Sequence, residues 1–231
     1  MTTLDLKALG KGRIGFAVYL FVRNFLLFLS AIFLRLSCSG REHVPKSGAY
    51  VMAAVHRSNL DIIVISTTTR RRQRYMGKDT LWKKQPFNWL LSALGGFPVT
   101  RGSIDRLALQ RCLEVVKGGE PLVLYPEGTR LSGPTVGPLF EGVAYVATKC
   151  GVPVIPVGIA GTERAMGKGS KGIRPTKVHV EIGPAIMPPV AIDGGRVSRD
   201  VMHQLTEQLQ AELQRLFDIA DTKVTGGQSR K

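Results

Sequence analysis

The chain alternates short apolar runs with amphipathic stretches. Ala49–Val55, Pro121–Tyr125 and Val152–Ile159 are apolar runs bounded by turn residues, and each predicts a buried strand. Lys177–Ile182 alternates with period two and predicts a further strand, and Tyr75–Gly77 a short one. Helical spacing fills the intervals. Trp82, Phe87, Leu90, Leu91 and Leu94 share a face in Leu81–Leu94, where Pro86 marks a kink or a new start. Ser103 is placed to cap a helix reaching Lys117, and Val143–Lys149 predicts another. Ser198 opens a last helix with Val201, Met202, Leu205, Leu209, Leu213 and Leu216 on one side. Gly40–Gly48, Gly95–Pro98 and Pro134–Gly142 are turns or loops. Strands interleaved with helices imply an α/β fold, a mixed sheet covered by helices. The expected division is an N-terminal helical segment over 1–39, one domain over 40–221, and a disordered polar tail over 222–231.

Residues 14–37 are almost continuously apolar, but Arg23 and Asn24 interrupt them. A membrane span needs roughly 20 predominantly apolar residues, and an arginine at its centre is costly. At roughly 100° per residue, Arg13, Arg23, Asn24 and Arg35 fall in one arc. Val18, Phe21, Val22, Phe25, Leu26, Leu29, Ile32, Phe33 and Leu36 occupy the opposite side. The pattern predicts a helix lying in the membrane interface, its arginines toward the headgroups. The alternative is a helix packed on the protein's own core. Length, the interrupting charge and the lack of a small-x-small site argue against a signal peptide.

Composition narrows the partners. The chain has 231 residues, 44% of them hydrophobic, enough for one sizeable core. Its formal net charge of +15 calls for an anionic partner: nucleic acid, an anionic membrane or a phosphorylated substrate. Aromatics make up 7% and sit mostly in apolar runs, so base-stacking platforms are not evident and nucleic acid is not expected. Cys38, Cys112 and Cys150 are odd in number and lack metal-ligand spacing; reduced thiols in a cytosolic compartment are expected. Arg70, Arg71, Arg72 and Arg74 form one basic cluster, either a solvated face or a grip on anionic lipid. Lys168, Lys171, Arg174 and Lys177 form a second in a Gly-rich loop, either solvated or facing an anionic donor.

Two short segments carry the chemistry. His56-Arg57-Ser58-Asn59-Leu60-Asp61 follows the first buried run. A neutral imidazole can take a proton from a hydroxyl, and a carboxylate on its other nitrogen fixes the tautomer. Asp61 could supply that carboxylate, provided the chain turns between the two. Ser58-x-x-Asp61 is equally a helix-capping box, which would leave Asp61 a purely structural role. The second segment, Tyr125-Pro126-Glu127-Gly128-Thr129-Arg130, places an acid and an arginine in a turn after another buried run, a candidate anion site.

Two more segments complete a set. Gly96-Phe97-Pro98-Val99-Thr100-Arg101 ends in an arginine, and Val152-Pro153-Val154-Ile155-Pro156-Val157 is an apolar stretch with two prolines. In order, His-x4-Asp, Gly-x4-Arg, Tyr-Pro-Glu-Gly-Thr-Arg and Val-Pro-Val-Ile-Pro-Val resemble the four blocks of the glycerolipid acyltransferase family, which makes phosphatidic acid from lysophosphatidic acid. The similarity runs from about Gly40 to Ile186. Val55 stands where the family often has asparagine, and Leu131 where serine is frequent.

The resemblance implies a mechanism. His56 is the general base toward the glycerol hydroxyl of the acceptor, oriented by Asp61; the oxyanion donors are not identified, and backbone amides near the start of the following helix are candidates. Arg101 and Arg130 hold the acceptor phosphate; Glu127, Gly128 and Thr129 order that site, Glu127 by orienting an arginine or a glycerol oxygen and Gly128 by letting backbone approach the ligand. Val154, Ile155 and Pro156 build the acyl pocket. The donor is acyl-CoA or an acyl carrier protein, the acceptor 1-acylglycerol 3-phosphate, and no metal or cofactor is required. The expected setting is monotopic, at the cytosolic face of the cell membrane, against anionic lipid. Two alternatives are a relative acting on another lysophospholipid or a glycolipid, and a non-catalytic basic membrane-binding protein. The second would be marked by loss of His56, Asp61 or Glu127, and all three are present.

Overall fold

A computed structural model describes residues 12–83, 85–99, 106–189 and 198–226. Helix α1 (Arg13–Phe33) leads into strand β1 (Ser37–Ser39). There follow β2 (Val51–Ala54), α2 (Leu60–Thr68), β3 (Arg74–Lys78), α3 (Phe87–Ala93) and β4 (Gly96–Val99). Then come α4 (Arg106–Lys117), β5 (Leu122–Leu124), α5 (Gly142–Cys150), β6 (Val154–Ala160), the short α6 (Thr162–Ala165), β7 (His179–Ile182) and α7 (Arg199–Thr225). Among the described residues seven strands form one sheet in the order β1-β7-β6-β2-β5-β3-β4. All neighbours are parallel except β6 and β7, which run antiparallel. The sheet is therefore mixed, as the sequence predicts.

Burial on both faces explains why the central strands read as unbroken apolar runs. Every residue of β2 and β6 is buried. Val51, Ala53 and Val55 join one core with α4, α5 and α7; Tyr50, Met52 and Ala54 face the other, shared with α2. The final helix lies close on β6. A Cβ at Gly158 would sit 2.3 Å from the backbone carbonyl carbon of Leu216, so only glycine allows this approach. Ser198 caps the helix as expected, its hydroxyl accepting from Val201 N–H. The helix continues to Thr225, so residues 222–225 are ordered rather than part of a tail. At the other end β1 pairs with β7, which moves the start of the sheet domain ahead of residue 39. Gly96–Val99, expected as part of a turn, is the edge strand β4. The Ser103 cap lies outside the described residues.

The N-terminal helix departs from expectation in one respect. Ile14, Phe21, Phe25, Phe28 and Ile32 are exposed along one side, while Gly15, Tyr19 and Ser30 are buried. That stripe is an exposed apolar surface of the kind that contacts a membrane, and α1 is long and apolar enough to cross one. Arg23, however, does not point to headgroups. Its Nε donates to Thr69 O at 2.9 Å and its Nη2 to Thr67 O at 3.1 Å. A guanidinium there satisfies carbonyls left open at the C-terminus of α2 and complements its dipole. Arg23 thus fastens α1 to α2, and the exposed apolar stripe lies on the other side of the helix.

Gly158→Ala should push α7 off the sheet. The expected loss is about 3 kcal/mol, which for a chain of this size is roughly 6–12 °C in Tm. An unchanged Tm would show that the helix can shift freely.

Candidate active site

Strands β2 and β5 are parallel neighbours, so the loops after them leave the sheet at the same edge. His56 stands two residues past the end of β2, and Glu127 three past β5. This adjacency brings the two chemical segments of the sequence together.

The chain does turn between His56 and Asp61. His56 Nδ1 lies 2.9 Å from Asp61 Oδ2. The same oxygen accepts from Arg57 N–H at 2.7 Å and Ser58 N–H at 2.8 Å. Asp61 is wholly buried, whereas the His56 side chain is 16% exposed. Both sequence readings therefore hold at one atom: Asp61 completes the acidic half of a cap and also binds the imidazole. A carboxylate is acceptor-only, so Nδ1 carries a proton, and in the neutral ring the lone pair is on Nε2. Nε2 has no protein partner among the described residues. Tyr125 stacks on the imidazole with ring centroids 4.1 Å apart and planes 21° apart. Burial, with the nearby Asp61 and Tyr75, drives the Tyr125 phenol well above its ordinary value, so the ring is a neutral wall.

Glu127 is not an open ligand for an acceptor. Its Oε2 accepts from His56 N–H at 2.8 Å and its Oε1 from Gly137 N–H at 3.0 Å. Arg57 Nη1 reaches Oε1 at 2.9 Å and Oε2 at 3.0 Å. Arg57 also donates to His56 O and Thr135 O and lies 5.0 Å over the Phe217 ring. Both partners are buried. The pair clamps the His56 loop to the Glu127 loop, with Glu127 holding an arginine, Arg57, in place. The sequence reading passed over Arg57; an arginine directly after a buried run, facing a glutamate after the adjacent run, was the available signal.

The other expected residues fall in several places. Gly128 takes a left-handed φ of 67°, and the exposed Phe140 ring occupies the space a Cβ would need. Thr129 is exposed beside it. Arg130 is half-buried, and its guanidinium has no protein partner among the described residues. It is held close to the base, because Leu131 N–H donates to His56 O at 3.1 Å. Arg101 lies outside the described residues. Val154, Ile155 and Pro156 sit in the buried centre of β6, paired to β2. They do not line the apolar cavity. That cavity, of about 220 Å³, lies between α1, α2, β3, β4 and α3, walled by Val22, Leu26, Ile63, Met76, Trp82 and Leu91 among others. The helix-start amides expected as oxyanion donors are largely taken. Those of Arg57 and Ser58 go to Asp61, and that of Leu60 goes to Ser58 Oγ. The Arg70–Arg74 cluster is mostly structural: Arg71 binds Pro45 O and Gly48 O, Arg72 binds Ala93 O, and Arg74 pairs with Glu120.

An imidazole held by a buried acid, and an arginine with no protein partner among the described residues, stand at the ends of adjacent parallel strands, and an apolar cavity lies beside the helix that follows the imidazole. The Acyltransferase family model matches residues 35–160, and the chain belongs to that family. It is 32% identical over 146 residues to the chloroplastic 1-acyl-sn-glycerol-3-phosphate acyltransferase of Brassica napus, covering 61% of this chain and 42% of that one. The corresponding protein of Bacillus subtilis is 25% identical over 145 residues, 62% of this chain and 72% of that one. The chain thus spans less than half the length of the chloroplastic relative. The crystal structure of the 1-acyl-sn-glycerophosphate (LPA) acyltransferase PlsC from Thermotoga maritima superposes with a TM-score of 0.72 at 25% identity, covering 92% of this chain and 83% of that one.

Glu127→Ala would strand Arg57 as a buried, unpaired charge. The expected cost is about 3–5 kcal/mol, or roughly 6–20 °C in Tm, with partial recovery when Arg57→Met is added. A variant with unchanged Tm and only a raised acceptor KM would return Glu127 to the acceptor site.

Proposed function

We propose that the protein moves a fatty acyl group from an acyl thioester to the free hydroxyl of 1-acylglycerol 3-phosphate, giving phosphatidic acid, at the cytosolic face of a membrane. The observation that carries this reading is the single open nitrogen of His56, its other nitrogen held by buried Asp61. The acceptor hydroxyl approaches Nε2, which takes its proton as the oxygen attacks the thioester carbonyl. The tetrahedral intermediate collapses with cleavage of the C–S bond. The imidazolium returns its proton to the departing thiolate sulfur, leaving the histidine neutral. Asp61 stabilises the imidazolium while it lasts. No step passes through an acyl-enzyme, and Ser58 is already committed, its hydroxyl donating to Met166 O at 2.6 Å. The proton balance closes without a metal or cofactor.

Arg130 takes the acceptor phosphate, since its half-buried guanidinium is unpaired among the described residues and its neighbour is bonded to His56. The acyl chain enters the cavity flanked by α1 and α2, whose lining includes Ile62 and Ile63, directly after Asp61. The exposed stripe of α1 borders the same region and sets the enzyme at the bilayer surface from which both lipids come. The names of the relatives support this choice of acceptor.

With purified protein, an acyl thioester and a panel of lysolipids, wild type should acylate lysophosphatidate preferentially. His56→Ala should lower the rate about 10²–10⁴-fold, with circular dichroism and membrane partition unchanged; substantial retained activity would defeat the mechanism. Arg130→Ala should raise the acceptor KM roughly tenfold and leave the donor KM alone. The reverse pattern would mean that the two substrate sites are exchanged.

A further inference from the structure

A second basic surface adjoins the site and has no part in the mechanism above. Residues 166–177 form a loop held at both ends. At one end Met166 O accepts from Ser58 Oγ at 2.6 Å, two residues from His56. At the other, Thr176 N–H donates to Phe33 O at 3.1 Å, at the end of α1. Arg174 N–H donates back to Ala165 O at 2.8 Å, and Gly169 makes a left-handed turn at φ 84°, so the loop folds compactly. Lys168, Lys171, Arg174 and Lys177 are all exposed, and the segment contains no acidic residue. Lys177 spends its ammonium on Lys223 O at 2.6 Å. The cations of Lys168, Lys171 and Arg174 have no protein partner among the described residues.

We propose that this loop binds the phosphate groups of a nucleotide thioester donor, a coenzyme A ester, and holds its thioester toward His56. The inference rests on the acyl-transfer reading of the site. Such a reaction brings two anionic substrates to one imidazole, and Arg130 answers only one of them. The loop is a separate set of cations, anchored through Ser58 rather than through Leu131. Its size suits a small polyanion. A stable protein partner would need about 800 Å² of contact on each side, whereas this short loop offers Ile173 as its one exposed large apolar residue. Bilayer contact is already provided by the α1 stripe. Unpaired ammonium and guanidinium groups bind phosphate oxygens through charge-assisted hydrogen bonds.

The test uses the full chain with Lys168→Ala, Lys171→Ala and Arg174→Ala combined. The donor KM for an acyl-CoA should rise about tenfold, with acceptor KM and kcat within about twofold of wild type. A Lys168→Arg, Lys171→Arg version should keep the wild-type donor KM. Raising salt should raise the donor KM of wild type more than that of the triple alanine variant. Partition onto vesicles containing phosphatidylglycerol should be the same for both. An unchanged donor KM overturns the proposal. So does a loss of vesicle binding without a donor effect, which would make the loop a lipid contact. An effect confined to a carrier-protein donor overturns it too and would make the loop a protein dock. Calorimetric titration with free coenzyme A separates this inference from the transfer reading. Binding lost in the triple variant supports the loop even if lysophosphatidate proves not to be the acceptor.

Discussion

One carboxylate oxygen, Asp61 Oδ2, accepts three hydrogen bonds from the five residues before it: the His56 imidazole, Arg57 N–H and Ser58 N–H. The geometry of the site follows from this convergence. A regular helix would not bring residues five apart face to face, so the chain must wrap around the acid before α2 begins. Because the acid is buried and its Oδ2 accepts from backbone as well as ring, it fixes the loop and the tautomer together. Removing the carboxylate would free two amides and the imidazole at once. Asp61 is therefore a structural and a chemical residue for the same physical reason.

A second clamp sets where that loop sits. Glu127 binds the backbone of His56 and the side chain of Arg57, across two strands that the sheet places side by side. Buried ion pairs often return little net stability, but they penalise any arrangement that separates the partners. Here the penalised arrangement is one in which the β2 and β5 loops drift apart and the imidazole loses its place beside Tyr125 and Arg130. On the far side, Arg23 ties the C-terminus of α2 to α1. One short helix thus has its first turn in the His56 loop and its last turn fastened to the helix that carries the exposed apolar stripe. The imidazole loop and the apolar stripe are joined through nine residues, Leu60–Thr68.

Much of this was legible before the structure. The buried strands β2, β5 and β6 announce themselves as apolar runs, because a strand covered on both faces has no polar side to show. His56, Asp61 and Arg130 stand out because polar groups at the ends of such runs have few other uses. What stayed hidden depended on packing between distant segments. Glu127 and Arg57 meet across some 70 positions of sequence, and nothing local marks either as the other's partner. The Phe140 ring that lies against Gly128 is likewise invisible in the local sequence. Val154–Pro156 looked like a pocket wall because a buried strand and a pocket lining have the same composition; register with β2 places them in the core instead. Arg23 was read from the helix alone, where it opposes the apolar stripe. The structure shows that its side of the helix faces protein.

The account turns on the protonation state of one ring. Nitrogen NMR of the full-length protein in micelles, with histidine labelled and His56 assigned through its loss in His56→Ala, reports the tautomer directly. Asp61 as described predicts that the neutral ring carries its proton on Nδ1, strongly hydrogen-bonded, with Nε2 bare, and loss of that signature in Asp61→Ala. A His56 protonated at Nε2 in wild type, or a tautomer indifferent to Asp61, would contradict the role given to the pair.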